Sequence, residues 1–150
     1  MKIDRTAPVI AAEEMLIQAP VELVWEIQSD IANWPRWNPE VHRVVLHGPI
    51  RPGTEFQWEA GGLKIRSRLQ VLSRSECIVW TGRTRGIHAV HVWSFEQRAD
   101  GTHVRTEESF TGLMARLFTK SMHKMLVKAL RQGLSALQQE AERRACARVS

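Results

Sequence analysis

Two ionisable residues, His91 and Glu108, occupy positions in a pattern that is otherwise mostly apolar. Both fall on the predicted inward face of a β-sheet, where a carboxylate is costly unless it is paired or neutral. We expect them to be diagonal neighbours on adjacent strands, about 7–8 Å apart. A Glu–His contact would orient the imidazole and raise its pKa, whereas burial would lower that pKa. The two residues are candidates for a general acid–base pair; the alternative is a structural pair, or a Glu that contacts water at a cavity mouth.

Two hydroxyl residues share the same predicted face. Ser67 and Thr106 could position a carbonyl or hydroxyl group of a ligand. The alternative for each is a small strand residue whose hydroxyl bonds locally.

Other arrangements that carry chemistry are missing from the sequence. His88 and His91 point to opposite faces of a strand, so they cannot chelate one ion together. The chain has no GxSxG, GxGxxG or P-loop pattern and no Ser nucleophile with an identifiable base. We therefore expect neither a metal nor a cofactor.

The residues that position the candidate pair lie in strands separated by turns between Thr54 and Gly112. Gly-Gly and Asp-Gly pairs are typical of two-residue hairpin turns. If Gly61-Gly62 is such a turn, Trp58 faces Ile65, and opposite charges meet on the reverse side of the sheet. The turn at Arg85-Gly86 places Trp80 opposite His91 and Gly82 opposite Ala89, and the preceding connection places Leu69 opposite Trp80.

A turn at Asp100-Gly101 extends the same reasoning to the last hairpin. It predicts that Phe95 faces Thr106 and that Trp93 faces Glu108. The hairpins agree in parity, and a slip by one residue would exchange the two faces of the sheet. The predicted inward face contains Phe56, Trp58, Ala60, Leu63, Ile65, Ser67, Leu69, Val71, Ile78, Trp80, Gly82, Thr84, Ile87, Ala89, His91, Trp93, Phe95, Val104, Thr106, Glu108 and Phe110.

Helices predicted on either side of this region complete the domain. A first strand over about residues 9–18 precedes a short helix that begins at Pro20, and a strand over about residues 41–47 follows. From Met114 to about Arg144, apolar residues recur at three- and four-residue intervals, which predicts a long amphipathic helix. We predict a single α+β domain over residues 1–150, with its core at about 9–142.

A helix covers only a stripe of a wide twisted sheet, so space remains beside it. The small residues Gly82 and Ala89 enlarge that space, and the six tryptophans of the chain suit a cavity wall or an ordinary core. Trp34 and Trp37 flank Pro35 and could form a stiff lid or one end of the cavity, or could plug the end of the fold. The predicted ligand-binding residues are Trp58, Ile65, Ser67, Leu69, Trp80, Gly82, Ala89, Trp93, Phe95, Thr106, Phe110, Met122 and Met125.

Charge and cysteine content point to a cytoplasmic protein. The net charge is +5 at pH 7, and Lys120, Lys124, Lys128 and Arg131 form a basic stripe on the last helix. Such a stripe is usually a solvated face, and nucleic-acid or lipid contact is the alternative. Cys77 and Cys146 cannot build a disulfide framework, and no stretch is long and apolar enough for a membrane span.

Val79, Val90 and Val92 on the outer face could form a homodimer patch, or be covered by other segments of the chain.

Several segments together resemble the START/Bet v 1-like (SRPBCC) superfamily, in its polyketide cyclase/dehydrase and lipid-transport-like branch. They are Ile17–Trp25, Asp30, Asn33–Pro39, Gly86–Phe95, Asp100–Thr102 and Thr106–Ser109. The resemblance covers about residues 9–142. It implies a helix-grip fold, with a seven-stranded antiparallel sheet, two short helices after the first strand and a long C-terminal helix across a cavity.

Three functions follow as hypotheses. The first is binding of a small hydrophobic molecule that is aromatic, polyketide-like or lipid-like. The second is a cyclase or dehydratase in which His91 is the acid–base group, Glu108 orients it, and Ser67 or Thr106 holds an oxygen. The third is an interaction module that uses the basic face of the last helix. We expect no nucleic-acid partner and no integral membrane association.

Overall fold

A seven-stranded antiparallel sheet forms the body of the protein, and its strand order is β1-β7-β6-β5-β4-β3-β2. The computed structural model describes residues 1–149. The strands are β1 (Val9–Ile17), β2 (Val41–Leu46), β3 (Glu55–Ala60), β4 (Leu63–Ser73), β5 (Cys77–Thr84), β6 (Ile87–Arg98) and β7 (Gly101–Thr111). The helices are α1 (Val21–Ser29), α2 (Trp34–Trp37), α3 (Leu113–Leu117) and α4 (Thr119–Val149), with a 3₁₀ turn at Ile31–Asn33. The helix-grip fold predicted from the sequence is confirmed.

The predicted register is confirmed for the hairpins between β3 and β6. Trp58 pairs with Ile65 and Leu69 pairs with Trp80. Trp80 also pairs with His91. Gly61 and Gly62 both have positive φ, as a two-residue turn between twisted strands requires.

The predicted register of the last hairpin is wrong by two residues. Ala99-Asp100 is the turn, so Trp93 pairs with Thr106, Phe95 with Val104, and His91 directly with Glu108. Gly101 belongs to β7, where its φ is +145° and a Cβ would overlap the carbonyl oxygen of Ile17. This glycine therefore allows a close approach to the end of β1 rather than a turn. Because the register shifts by two residues, each side chain of this hairpin stays on the predicted face of the sheet.

Val71 is an exception to the predicted inward set. The register of β4 against β5 shifts between Leu69 and Val71, and the bulge turns Val71 to the outer face. There it packs beside Val79 and Val92, while Leu72 joins the inner core. The alternation rule failed here because a bulge adds one residue without a turn signal.

The outer valine patch is covered by the N-terminal segment of the same chain. Ile3 is buried against Val79 and Val92, which pair across β5 and β6. Of the two explanations that the sequence left open for this patch, the structure supports covering by the chain's own residues.

The predicted last helix is broken into two. α3 ends before Phe118, whose backbone leaves the helical region, and α4 begins at Thr119 and extends to Val149. Leu126, Leu130, Leu134 and Leu137 are buried on the side of α4 that faces the sheet. Within residues 1–149, each helix is too short or too polar to cross a bilayer.

Candidate functional site

A cavity of about 310 Å³ lies between the concave face of the sheet and α4. The sheet supplies its floor through residues such as Trp58, Trp80 and Ala89, and α4 supplies Leu130 from its inner side and the solvent-exposed Ala129. The volume is at the lower end of the range of about 300–1,000 Å³ typical of small-molecule sites. The concave sheet and the helix thus leave room for one compact ligand.

Most of the sequence-predicted ligand-binding residues line this cavity. They are Trp58, Ile65, Ser67, Trp80, Gly82, Ala89, Trp93, Phe110 and Met125, and the candidate pair His91 and Glu108 lies with them. Four lie elsewhere: Leu69 and Phe95 in the packed core, Met122 against a second core cluster, and Thr106 fully buried behind His91. The three strand residues are on the right face but are covered by other side chains, which alternation along a strand cannot reveal, and Met122 is half-buried on α4 beside the second cluster.

Thr106 contacts His91 rather than the cavity. Its Oγ1 is 2.8 Å from Nε2 of His91, and both residues are buried. On the other side of the ring, Nδ1 of His91 is 3.4 Å from Oε2 of Glu108. The imidazole is therefore fixed between a hydroxyl and a carboxyl group.

Burial shifts the pKa values of this pair in opposite directions. It lowers the pKa of His91 to about 3 and raises the pKa of Glu108 to about 8, because each charged form loses its hydration. At pH 7 both groups are then neutral, and the proton is on the carboxyl group. A neutral imidazole that accepts from Glu108 at Nδ1 carries its own proton on Nε2, which donates to Thr106.

Aromatic rings close the end of the cavity nearest α2. The Trp34 ring lies 5.3 Å from that of Trp58 and 5.2 Å from that of Trp80, and its indole N–H donates to the Gln28 carbonyl oxygen. Trp80 in turn lies 4.7 Å from the His91 ring. Trp34 is thus a packed end wall of the cavity rather than a mobile lid, and Trp37 lines the same end.

Ser67 is partly engaged by its neighbours. Its Oγ accepts a hydrogen bond of 3.0 Å from Nε1 of Trp58, and this bond fixes the Trp58 indole on the cavity wall. The Ser67 hydroxyl keeps its own proton to donate.

Sequence reasoning missed several cavity residues, among them Gln28, Gln132 and Gly133. The signal for Gln28 was present, because it follows Val24 by four residues on the apolar side of α1. Gly133 likewise follows Leu126 and Leu130 on the inner side of α4, and its missing side chain leaves room for the Trp93 ring, 3.7 Å from where a Cβ would stand.

The basic stripe lies at the surface. Lys120, Lys124, Lys128 and Arg131 are exposed, and Arg131 donates to Glu13 over 3.0 Å. Lys128 also borders the cavity. Within residues 1–149 there is no cluster of three or more His, Cys, Asp or Glu side chains placed to hold a metal ion.

Known proteins share this architecture. The chain is 28% identical over 111 residues to a putative polyketide cyclase of Streptomyces cyaneus, over 65% of this chain and 69% of that protein. A hypothetical protein from Helicobacter pylori superposes with a TM-score of 0.83 at 16% identity, covering 93% of this chain and 91% of its own. The Zhui aromatase/cyclase from Streptomyces sp. R1128 gives 0.79 at 18% identity, covering 90% and 94%.

A START superfamily protein from Mycobacterium smegmatis gives a TM-score of 0.76 at 15% identity, covering 89% of this chain and 97% of its own. At these identities the structural likenesses establish the fold. The sequence establishes the family as well as the fold. Residues 8–142 match the family described as polyketide cyclase / dehydrase and lipid transport, and the chain belongs to that family.

Proposed function

We propose that this protein binds a small, largely apolar aromatic molecule in the cavity between the sheet and α4. The observation that carries the proposal is a pocket of about 310 Å³ that is lined by Trp58, Trp80 and Trp93. Indole faces favour flat aromatic ligands through stacking and edge contacts. The small volume favours a compact ring system over a long-chain lipid.

Binding is tested by calorimetric titration with β-methylnaphthalene. Ala129→Trp places a bulky side chain at the cavity from the exposed side of α4, and it should lower affinity at least tenfold without unfolding the helix. Ser121→Trp, exposed on the same helix and away from the cavity, is the matched control. Equal affinity in both variants would locate the ligand elsewhere, and absence of binding to the unmodified protein would refute the proposal.

A second candidate function is a cyclisation or dehydration catalysed on the bound molecule. It is favoured by a carboxyl group that retains its proton at neutral pH and lines the cavity beside an imidazole. The roles differ from those expected from the sequence: Glu108 is the proton donor, and His91 holds and relays the proton. The name of the Streptomyces cyaneus relative agrees with this class of reaction.

The proposed step is an intramolecular aldol condensation of a linear polyketone. Glu108 gives its proton to a ketone oxygen while an activated methylene carbon of the same molecule attacks the ketone carbon. The methylene proton returns to Glu108 through His91, and loss of the new hydroxyl with a ring proton releases water and leaves an aromatic ring. No oxidant or reductant is needed.

A linear nine-carbon tetraketone, which cyclises to a dihydroxylated methyl acetophenone, serves as the test substrate. His91→Ala and Glu108→Gln should each lower turnover by about 10²–10⁴-fold while binding of β-methylnaphthalene changes little. Full turnover in either variant would refute the catalytic assignment and leave binding as the function.

A further inference from the structure

Three large apolar side chains project from the protein where α3 meets α4. Leu113 and Leu117 are each 65% exposed, and Phe118 is 50% exposed. Nowhere else in residues 1–149 do exposed side chains of this kind occur together. Single exposed apolar residues are common on soluble proteins, whereas a cluster of them marks a surface that contacts another body.

The packing of α3 fixes this exposure. Ala115 is fully buried, and Leu113 and Leu117, which are four residues apart, lie together on the opposite side of the helix. The backbone N–H of Met114 donates to the Gly86 carbonyl oxygen over 3.1 Å, which ties the start of α3 to the turn between β5 and β6. The leucines therefore point outward because the other side of α3 is held against the sheet.

The charges that follow this apolar cluster along the chain are all positive. Residues 109–139 contain no Asp or Glu, and their cations are Arg116, Lys120, Lys124, Lys128 and Arg131. Within residues 1–149, only Arg131 among these cations has an ion-pair partner, which is Glu13. Lys120 is two residues after Phe118, in the first turn of α4. Unpaired cations thus border the exposed apolar side chains.

We propose that α3 and the first turns of α4 form a docking surface for an anionic lipid bilayer. Leu113, Leu117 and Phe118 insert at the level of the lipid headgroups, and Lys120 and Lys124 pair with lipid phosphates. Apolar side chains beside lysines and arginines are the combination by which proteins bind at membrane interfaces. This inference goes beyond the proposed function, because docking requires no molecule in the cavity.

A second copy of the chain is a poor occupant of the same surface. A two-fold contact through Leu117 would bring Arg116 and Lys120 of one copy towards the same residues of the other. Residues 109–139 offer no carboxylate to offset this repulsion between like charges. An anionic bilayer covers the same apolar side chains and attracts the cations as well.

Docking through α3 also brings the cavity close to the lipid. Ile87 packs in one core cluster with Ala115 and also lines the cavity. An apolar molecule dissolved in the bilayer therefore has a shorter path to the cavity than one that must first enter bulk water.

Flotation of the full chain with lipid vesicles tests the docking. The vesicles contain either an equal mixture of phosphatidylglycerol and phosphatidylcholine or phosphatidylcholine alone. We expect the unmodified protein to float with the mixed vesicles at low salt. It should bind at least tenfold more weakly to the neutral vesicles, and salt should weaken its binding to the mixed ones.

Substitutions at exposed positions separate the apolar contribution from the charge. Leu117→Ser should weaken binding to mixed vesicles about fivefold or more, and Lys120→Ala should weaken it about fivefold. The matched controls are Val45→Ser, at a position 51% exposed on β2, and Lys64→Ala, at an exposed position on β4. Both controls should bind within about twofold of the unmodified protein. Urea midpoints should confirm that each variant is folded.

Three outcomes would overturn the proposal. The first is absence of flotation with mixed vesicles at low salt. The second is a loss for Leu117→Ser no larger than that for Val45→Ser, which would mean that charge alone attracts the protein. The third is a dimer in sedimentation velocity without lipid that Leu117→Ser dissociates, which would assign the surface to a second copy. Calorimetric titration with β-methylnaphthalene reports on the cavity separately, and Leu117→Ser should leave that affinity unchanged.

Discussion

His91 and Glu108 lie directly opposite each other on β6 and β7, with 3.4 Å between Nδ1 of the imidazole and Oε2 of the carboxyl group. Direct pairing places two ionisable side chains in one buried spot, where charge is costly. Because both settle in their neutral forms, the pair makes protein stability depend on pH at each end of the range.

The first prediction concerns that pH dependence. The folded-state pKa of Glu108, about 8, exceeds its ordinary value of 4.5, so its contribution to stability is lost as pH rises from about 4.5 to 8. The folded-state pKa of His91, about 3, lies below 6.5, so its contribution is lost as pH falls from about 6.5 to 3. The two slopes cancel between pH 4.5 and 6.5, and stability should be flat there.

Above pH 6.5 the free energy of unfolding should fall by at most about 1.4 kcal/mol per pH unit, up to about pH 8. Urea unfolding curves at half-unit steps of pH measure this slope. Glu108→Gln, which cannot ionise, should remove it while leaving stability near pH 5.5 within about 1 kcal/mol. A wild-type curve that stays flat or rises between pH 6.5 and 8 would mean that the folded pair holds no proton there, which contradicts the raised pKa of Glu108.

The second prediction concerns the hydroxyl that holds His91. Thr106→Val removes Oγ1 and leaves Nε2 of the buried ring without a partner, which should cost about 1–3 kcal/mol of unfolding free energy. Thr111→Val on the same strand is the control, because its hydroxyl makes only a long bond of 3.5 Å to the His88 carbonyl. Equal urea midpoints for the two variants would contradict the assigned role of Thr106.

The third prediction separates steric overlap from backbone strain at Gly101. Gly101→Ala must fit a Cβ against the Ile17 carbonyl at a φ of +145°, and it should destabilise the protein by about 2 kcal/mol or more. Gly53→Ala shares a positive φ, of +94°, but its Cβ meets no atom within 4 Å. Thermal unfolding should therefore show the larger loss for Gly101→Ala; a larger loss for Gly53→Ala would argue against close contact between β1 and β7.

The fourth prediction concerns the N-terminal segment. Ile3 is 4% exposed over the outer valines, so Ile3→Ser should cost about 1.5–3 kcal/mol of unfolding free energy. The uncovered Val79 and Val92 should also raise self-association, visible by sedimentation velocity over a hundredfold range of concentration. Met1→Ser, at an exposed position nearby in the chain, controls for changes at the terminus. Unchanged stability and association for Ile3→Ser would show that this patch needs no cover.

Side-chain alternation was sufficient to find the faces of the sheet because short turns connect the strands from β3 to β7, so the parity of one strand carries over to the next. It could not find the bulge that moves Val71, since a bulge leaves no mark in the pattern of residue types. It also placed the last turn one residue late, which shifts the register by two, because Asp100-Gly101 has a turn-like sequence but Gly101 serves a tertiary contact with Ile17.

The candidate site was only partly accessible from the sequence. Strand positions such as Trp58 and Ala89 followed from alternation. Gln28 and Gly133 lie on the apolar sides of their helices, but an amide and a missing side chain do not look like wall residues, so their positions in the helical period were overlooked. The neutral state of His91 and Glu108 was also out of reach, because it depends on their direct pairing and on the depth of burial, and neither is a property of residue order.

Pairing of the first strand with the last has a consequence for synthesis on the ribosome. Val9 on β1 pairs with Phe110 on β7, so this pairing cannot form until β7 has been synthesised. The helix α4, which completes the cavity, is synthesised after β7. Contacts of such long sequence separation form slowly. The nascent chain therefore exposes its tryptophan-rich concave surface until the C-terminal helix has emerged, and in that interval chaperones would contact the same apolar residues that later line the cavity.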